Sequence, residues 1–215
     1  MSLTTDQLCD ILREYGIPFV QKITATSLQE AIEAANTLHY PVVMKISSPD
    51  ISHKTDVGGI ILNLNSDEEI KKAYLTMMDS VKKNARKARI DGVIIQKMAK
   101  SGLEVIVGVK LDPQFGHVIM FGLGGIFVEV YKDVSFRVTP IDRETARDMI
   151  LEIKASSILQ GARGREPADI DAIINVITGL SHMLRKNPDI IELDINPLIV
   201  YSHGVVAVDA RMLTL

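Results

Sequence analysis

Apolar residues near the amino terminus recur at helical spacing, at Leu8, Ile11, Leu12 and Tyr15, and the run stops at Gly16. This predicts a short amphipathic helix beginning at Thr5. Pro18 leads an extended segment through Ile23. Ser27 and Glu30, three residues apart, read as a capping box for a helix reaching Leu38. Pro41 opens a strand over 42–46 with Lys45 near its end, and 60–64 reads as the next strand. Ser66 and Glu69 form a second capping box, ahead of a long helix with Ile70, Ala73, Tyr74, Met77 and Val81 on one face. Its far end is basic (Lys82, Lys83, Arg86, Lys87, Arg89), which suits the negative end of a helix dipole. A strand follows over 92–98.

The texture then changes. Residues 103–109, 117–121, 126–130 and 134–138 read as strands joined by tight turns. Asp142 caps a helix to about Ser156, and a loop over 161–167 containing Arg163 and Arg165 precedes a helix to Arg185. Strands over 190–195 and 205–210 close the chain. The pattern predicts an α/β chain with α+β lobes: a small lobe over about 19–95, and a larger, β-rich lobe built from 1–18 plus 96–215.

Composition narrows the function classes. At 215 residues the chain can bury the core of one domain, or of one domain with a lobe. A net charge of −3 argues against broad nucleic-acid binding, so an anionic ligand must be met by locally clustered cations. Cys9 is the only cysteine, which excludes an intrachain disulfide and a thiolate zinc site and points to a reduced, cytoplasmic setting. No basic region followed by an apolar core marks a signal peptide. The apolar run over 118–130 is broken by three glycines and carries Glu129, too short and too interrupted to span a bilayer. The absence of tryptophan weakens a base-stacking role.

Candidate chemistry sits in two places. Between the strands ending at Ile46 and starting at Ile60, thirteen residues over 47–59 follow neither period. A stretch of that kind inside a compact domain usually has a functional reason. It holds His53, has Lys45 and Lys54 nearby, and ends in Gly58-Gly59. These are parts that could hold a phosphoryl group; they are also what a surface histidine beside a turn would look like. The second place is the C-terminal hairpin. The strand period puts Glu192, Asp194 and Asn196 on one face, with Leu193 and Ile195 on the other. If the turn is 201–204 and Val200 faces Val205, counting back sets Asn196 opposite Asp209. An amide oxygen and a carboxylate at one point suit Mg²⁺, which keeps waters and accepts substrate phosphates as further ligands. The same face would also serve as the solvated side of a hairpin. Lys45 either snorkels or meets an anion. Gly122-Leu123-Gly124-Gly125 is a tight turn or a close backbone approach. The motifs G-x-x-x-x-G-K-[ST], G-x-G-x-x-G at a strand–helix junction and H-E-x-x-H are all absent.

Three stretches, VVMKISSPDISHKTDVGGI, GLEVIVGVKLDPQFGHVIMFGLGGIFVEVYKDVSFRVTPID and IELDINPLIV, resemble the β subunits of ADP-forming acetyl-CoA (acyl-CoA) synthetases. These are ATP-grasp proteins related to the succinyl-CoA synthetase β subunit. With their connecting elements the stretches cover nearly the whole chain. The resemblance implies an ATP-grasp fold, with two lobes clasping a nucleotide and the small lobe as a lid. It implies that Lys45 contacts nucleotide phosphates, that Gln96, Lys97 and Met98 meet adenine, and that Glu104 lies near the ribose. Asn196 and Asp209 match magnesium ligands, Asp194 matches the carboxylate that steadies a phosphohistidine, and His53 matches the second phosphohistidine of the relay. Lys54, Gly58 and Gly59 become phosphate-loop candidates.

The implied reaction is acyl-CoA + ADP + phosphate ⇌ acid + ATP + CoA, with ATP/ADP and Mg²⁺ as cofactors. The implied partner is an α subunit that binds CoA and the small organic acid and carries the first phosphohistidine, in an assembly of two α and two β; neither nucleic acid nor membrane is involved. Three departures stand out. The succinyl-CoA synthetase relatives have a glycine- and arginine-rich loop where this chain has the His53 loop, their hinge glutamate is Gln96 here, and the family's usual proline after Phe115-Gly116 is His117 here. A different ATP-grasp carboxylate ligase, a non-enzymatic ATP-binding subunit of a larger assembly, and the ATP-grasp part of a fused protein are the alternatives. A start at Met1 and an end at Leu215 favour a stand-alone subunit, which a fragment boundary would mimic.

Overall fold

A computed structural model of the chain describes residues 5–51, 53–125, 128, 130–164 and 166–215. Helix α1 spans Thr5–Glu14, α2 Leu28–Leu38 and α3 Asp67–Asn84. Both expected capping boxes form. Ser27 Oγ and Ser66 Oγ each accept the backbone N–H three residues on, at 3.2 Å. The glutamates reach one residue further back than a standard box: Glu30 Oε2 accepts from Thr26 N and Glu69 Oε2 from Asn65 N, each at 2.7 Å. Thr26 N–H is the main reason the Glu30 carboxyl sits below its usual range.

Contacts divide the chain into two units, Val20–Lys100 and Met1–Phe19 with Ser101–Leu215. In the smaller unit, β1 (Lys22–Ala25), β2 (Val42–Ser47), β3 (Ile60–Leu64) and β4 (Gly92–Lys97) form an antiparallel sheet in the order β1-β4-β2-β3. Val42, Met44, Ile46, Val93 and Ile95 alternate onto one face and pack with Ala31, Leu38, Ile70 and Met77 of α2 and α3. Strand β4 runs through Lys97, so Gln96 and Lys97 belong to this sheet, past the boundary at 95 expected from the sequence.

The larger unit holds β5 (Leu103–Asp112), β6 (Gly116–Leu123), β7 (Val134–Val138), β8 (Ile190–Val200), β9 (Val205–Ala207) and β10 (Ala210–Thr214). Their order is β10-β8-β5-β6-β7, with β9 also on β8, and every pair is antiparallel. Each unit is therefore α+β rather than the parallel α/β of crossover folds. One face of the large sheet (Val105, Val107, Val109, Ile119, Phe121) packs on α4 (Arg143–Glu152) and α6 (Ile170–Lys186) through Met149, Ile150, Ile173 and Ile177.

Three expectations change. The helix capped by Asp142 stops at Glu152, well short of Ser156, and a separate turn, α5 (Ser156–Leu159), follows. The reason is Asp133, which is buried and whose carboxylate accepts Lys154 N and Ala155 N at 2.8 Å each, capturing amides that a continuing helix would use. The strand expected over 126–130 lies partly outside the described residues; of its described members, Val128 is helical and Val130 is in a turn. The final strand is broken at Val208 and Asp209, and β8 continues five residues past Ile195 to Val200. Arg165 and the side chain of Arg163 lie outside the described residues. Among the described residues no helix is long and apolar enough to cross a membrane.

Candidate functional site

Strand alternation in β8 separates two sets of side chains. Leu193 and Ile195 are buried in the core, whereas Asp194 is half-buried and Glu192 and Asn196 are exposed. Val200 pairs with Val205 and Leu198 with Ala207, while Ala210 pairs with Ile195. Between these pairs, Val208 N donates to Pro197 O at 3.0 Å and Asn196 N donates to Asp209 O at 3.1 Å. Pairing thus continues past Pro197 and sets Asn196 across from Asp209. Asp209 Oδ1 accepts the N–H of Ala210 at 3.0 Å, which orients its carboxyl at the point where the return strand breaks. Among the described residues no group of three His, Cys, Asp or Glu side chains forms a metal cluster. The donors present are hard oxygens in partial number, a set that fits a magnesium ion keeping waters and phosphate ligands and not a protein-caged metal.

Asp194 lines a cavity of about 370 Å³ on the sheet face away from the helices, with Gly108, Lys110, Met120, Phe136 and Glu192. Register explains the grouping. Gly108 pairs with both Asp194 and Met120, and Met120 pairs with Phe136, so one row crosses four strands. A β-carbon at Gly108 would come within 3.2 Å of Met120 Cε and 4.0 Å of Asp194 Oδ1, so the missing side chain keeps the floor open. Burial raises the Asp194 carboxyl above its ordinary range, and nearby Glu192 and Asp209 add to this while Arg211 opposes it. A carboxylate so raised is a stronger hydrogen-bond acceptor once ionised. The sequence reading missed Gly108, Lys110 and Phe136 as neighbours of Asp194; a lone glycine inside a strand pattern was the available signal.

In the smaller unit, Lys45 pairs with Ile94 and Ile60, and Gln96 pairs with Val43 and Lys22. Alternation puts Lys45 and Gln96 on the sheet face opposite α2 and α3, where Lys45 is 8% exposed and Gln96 3%. Burial of an ammonium to that degree is tolerated only with an anionic or polar partner. Lys97 differs, because its ammonium donates to the carbonyls of His39 and Tyr40 at the end of α2. That side chain therefore ties the end of β4 to the C-terminus of α2. Met98 N donates to Pro41 O at 3.1 Å.

Glu104 is exposed on β5 of the larger unit, and Gly124 N donates to its carbonyl at 2.8 Å. A β-carbon at Gly124 would meet that of Glu104 at 3.0 Å, so the glycine run both ends β6 and brings backbone against Glu104. His53 is exposed in the loop of the smaller unit. Lys54, Gly58 and Gly59 close that loop locally: Gly59 N donates to Lys54 O at 2.7 Å and Gly58 N to Thr55 O at 3.1 Å.

A family model for the ATP-grasp domain matches residues 1–214. The chain is 48% identical over 204 residues to subunit beta of ADP-forming acetate–CoA ligase I of Pyrococcus furiosus, covering 95% of this chain and 88% of that one. It is 46% identical over 202 residues to ADP-forming acetate–CoA ligase I of Archaeoglobus fulgidus, covering 94% of this chain but 29% of that protein. The chain therefore spans under a third of the Archaeoglobus relative. A solved structure of the dinucleotide-forming acetyl-coenzyme A synthetase 1 of Ca. Korarchaeum cryptofilum, in complex with coenzyme A, Ca-AMPCP and HgCl+, superposes with a TM-score of 0.96 at 43% identity, covering 100% of this chain and 93% of that one. In another structure of that protein, with coenzyme A and Mg-AMPPCP, the phosphohistidine segment points towards the nucleotide binding site; the TM-score is 0.86 at 40% identity, with 100% of this chain and 93% of that one covered. By these matches the chain belongs to the ATP-grasp family, in the group that holds the β subunits of ADP-forming acetate–CoA ligases.

Proposed function

We propose that this chain is the nucleotide-handling, phosphoryl-transferring subunit of an ADP-forming acyl-CoA synthetase, acting by acyl-CoA + ADP + phosphate ⇌ acid + ATP + CoA. The observation that carries the reading is the pairing of Asn196 with Asp209, beside Asp194 on the same hairpin, in a chain of this family. In the direction of ATP use, a His53 ring nitrogen attacks the γ-phosphorus. The N–P bond forms as the bond to the ADP oxygen breaks, and ADP leaves. The reverse transfer makes ATP. An imidazole nitrogen with a free lone pair is a competent nucleophile.

Such transfers depend on positioning and charge neutralisation more than on covalent work by the protein. Lys45 meets the phosphates. Backbone and side-chain groups at Gln96, Lys97 and Met98 meet adenine, and Glu104 meets the ribose. Asn196 and Asp209 would hold a magnesium ion, which neutralises charge on the β and γ phosphates when bound. Asp194, a raised and therefore strong acceptor, holds the N–H of the phosphorylated imidazole. Lys54, Gly58 and Gly59 shape the loop that carries the histidine. CoA, the organic acid and the first phosphohistidine belong to an α-type partner, in an assembly of two α and two β, in the cytoplasm. The smaller unit acts as a lid that excludes water, which limits wasteful hydrolysis.

Incubation of the chain and its partner with γ-labelled ATP tests this. The label is expected on His53, acid-labile and alkali-stable, and His53→Ala is expected to lose both label and CoA-dependent turnover. Label confined to serine or aspartate, or full turnover by the variant, would overturn the assignment.

A further inference from the structure

The segment that carries His53 is clasped to the smaller unit on both sides of the histidine. On the amino-terminal side, Asp50 Oδ2 accepts the backbone N–H of Arg89 at 2.7 Å. Beside it, Ile51 is 7% exposed and shares an apolar cluster with Met44, Ile46 and Met77. On the carboxyl-terminal side, Ser80 of α3 donates its hydroxyl to Val57 O at 2.9 Å. Gly58 follows with φ +69, and a β-carbon there would come within 2.5 Å of Ser80 Oγ. Only glycine permits that backbone and that approach to α3 together. His53, between the two anchors, is exposed.

These anchors are separable from the fold beneath them. Ile46 N donates to Gly59 O at 2.8 Å, so the pairing of β2 with β3 reaches Gly59 and ends where the clasp begins. Each clasping hydrogen bond joins one side chain to one backbone group, and neither belongs to a strand ladder or to the helical bonds of α3. Both can open while β2, β3 and α3 stay intact.

We propose that Asp50 and Ser80 are positioning residues that park the His53 segment on the C-terminal end of α3, and that the histidine travels only when both let go. The proposal rests on the reading of His53 as the phosphoryl carrier. A carrier that visits a nucleotide and a second subunit needs a defined resting place and an easy way out of it. One apolar plug and two hydrogen bonds meet that need, since they open locally at less than the free energy of global unfolding. A free loop would have no resting place, and a segment built into the ladder could not leave.

Hydrogen–deuterium exchange on the full chain with its partner, without nucleotide, reads the clasp directly. Ser80→Ala and Asp50→Ala are each expected to speed exchange of the Gly58 and Arg89 amides, the hydrogen-bonded N–H groups at the two ends of the clasp, about tenfold, the effect of losing one hydrogen bond of ordinary strength. The double variant should be faster still, while amides of β2 and β4 keep the parent rates. Asp50→Asn retains an acceptor oxygen for Arg89 N and should keep most of the protection. In the double variant the rate of His53 labelling from ATP should change by at least roughly threefold while nucleotide affinity stays within about twofold, a split that loss of fold would not produce. Parent-like exchange in the double variant overturns the proposal. So does acceleration spread evenly through the smaller unit, or an unchanged labelling rate. Absence of label on His53 in the parent sinks the carrier reading and the proposal with it, whereas label in the parent with unmoved exchange in the double variant sinks the clasp alone.

Discussion

Asp194 shows how a single residue can be tuned against stability. Its carboxyl is raised chiefly by burial, with Glu192 and Asp209 adding to the effect and Arg211 opposing it. A folded-state value above the ordinary aspartate value of about 3.9 means the folded chain binds the proton more tightly than the unfolded chain does. Stability therefore falls as pH rises from that reference value through the folded value, and the penalty is complete above it. Asp194→Asn removes the ionisation and keeps the shape. Urea unfolding should find this variant more stable than the parent at about pH 7, with the two midpoints converging below about pH 4. An equal or lower midpoint at neutral pH would show that the carboxylate is not held at a cost. The same variant is expected to lose turnover, so gain in stability and loss of activity come from one atom pair. Residue identity was legible here because an alternating strand with acids on its polar face needs no tertiary information. The neighbours of Asp194 were not legible, because Gly108, Met120 and Phe136 reach it through pairing between strands far apart in sequence.

At the scale of elements, local chemistry fixed most starts and tertiary contacts fixed several ends. Ser27, Ser66 and Asp142 were readable as caps because each satisfies an orphan amide three residues on. The end of α4 was not, because Asp133, 21 and 22 residues upstream of them, takes the amides of Lys154 and Ala155. Asp133→Ala should leave two part-buried donors without their charged acceptor. Hydrogen bonds to charged groups contribute about 1.5–3 kcal/mol each, so a loss of about 3 kcal/mol is expected in denaturant unfolding. A change below about 0.5 kcal/mol, ordinary for a surface substitution, would mean that another group ends the helix. The last strand was misjudged for a related reason. Val208 and Asp209 look like a continuation of β9 in sequence, yet they interrupt the strand between β9 and β10 while backbone bonds keep Asp209 across from Asn196.

For the whole molecule, the division at Val20 and Lys100 separates Lys45, Gln96 and His53 from Asp194, Asn196 and Asp209. A nucleotide bound as proposed should stabilise the fold as a ligand of the native state alone. At a hundred times its dissociation constant it would add about 2.7 kcal/mol, or roughly 5–10 °C in melting temperature for a chain of this size. Thermal unfolding with ATP and magnesium should show that rise, and EDTA or Asp209→Ala should abolish most of it without lowering the melting temperature of the ligand-free chain. A rise that survives both would remove Asp209 from the metal site. The sequence by itself determined the periodic elements, their caps, the antiparallel hairpin and the residue types able to bind a phosphorylated ligand, since these depend on spacings of a few residues and on side-chain chemistry. Only the tertiary structure decided that Lys97 ties β4 to the end of α2, that Gly108 opens a floor beside Asp194, and that the His53 segment is clasped to α3. Each of those turns on atoms brought within hydrogen-bonding or van der Waals range by chain segments that no local pattern links.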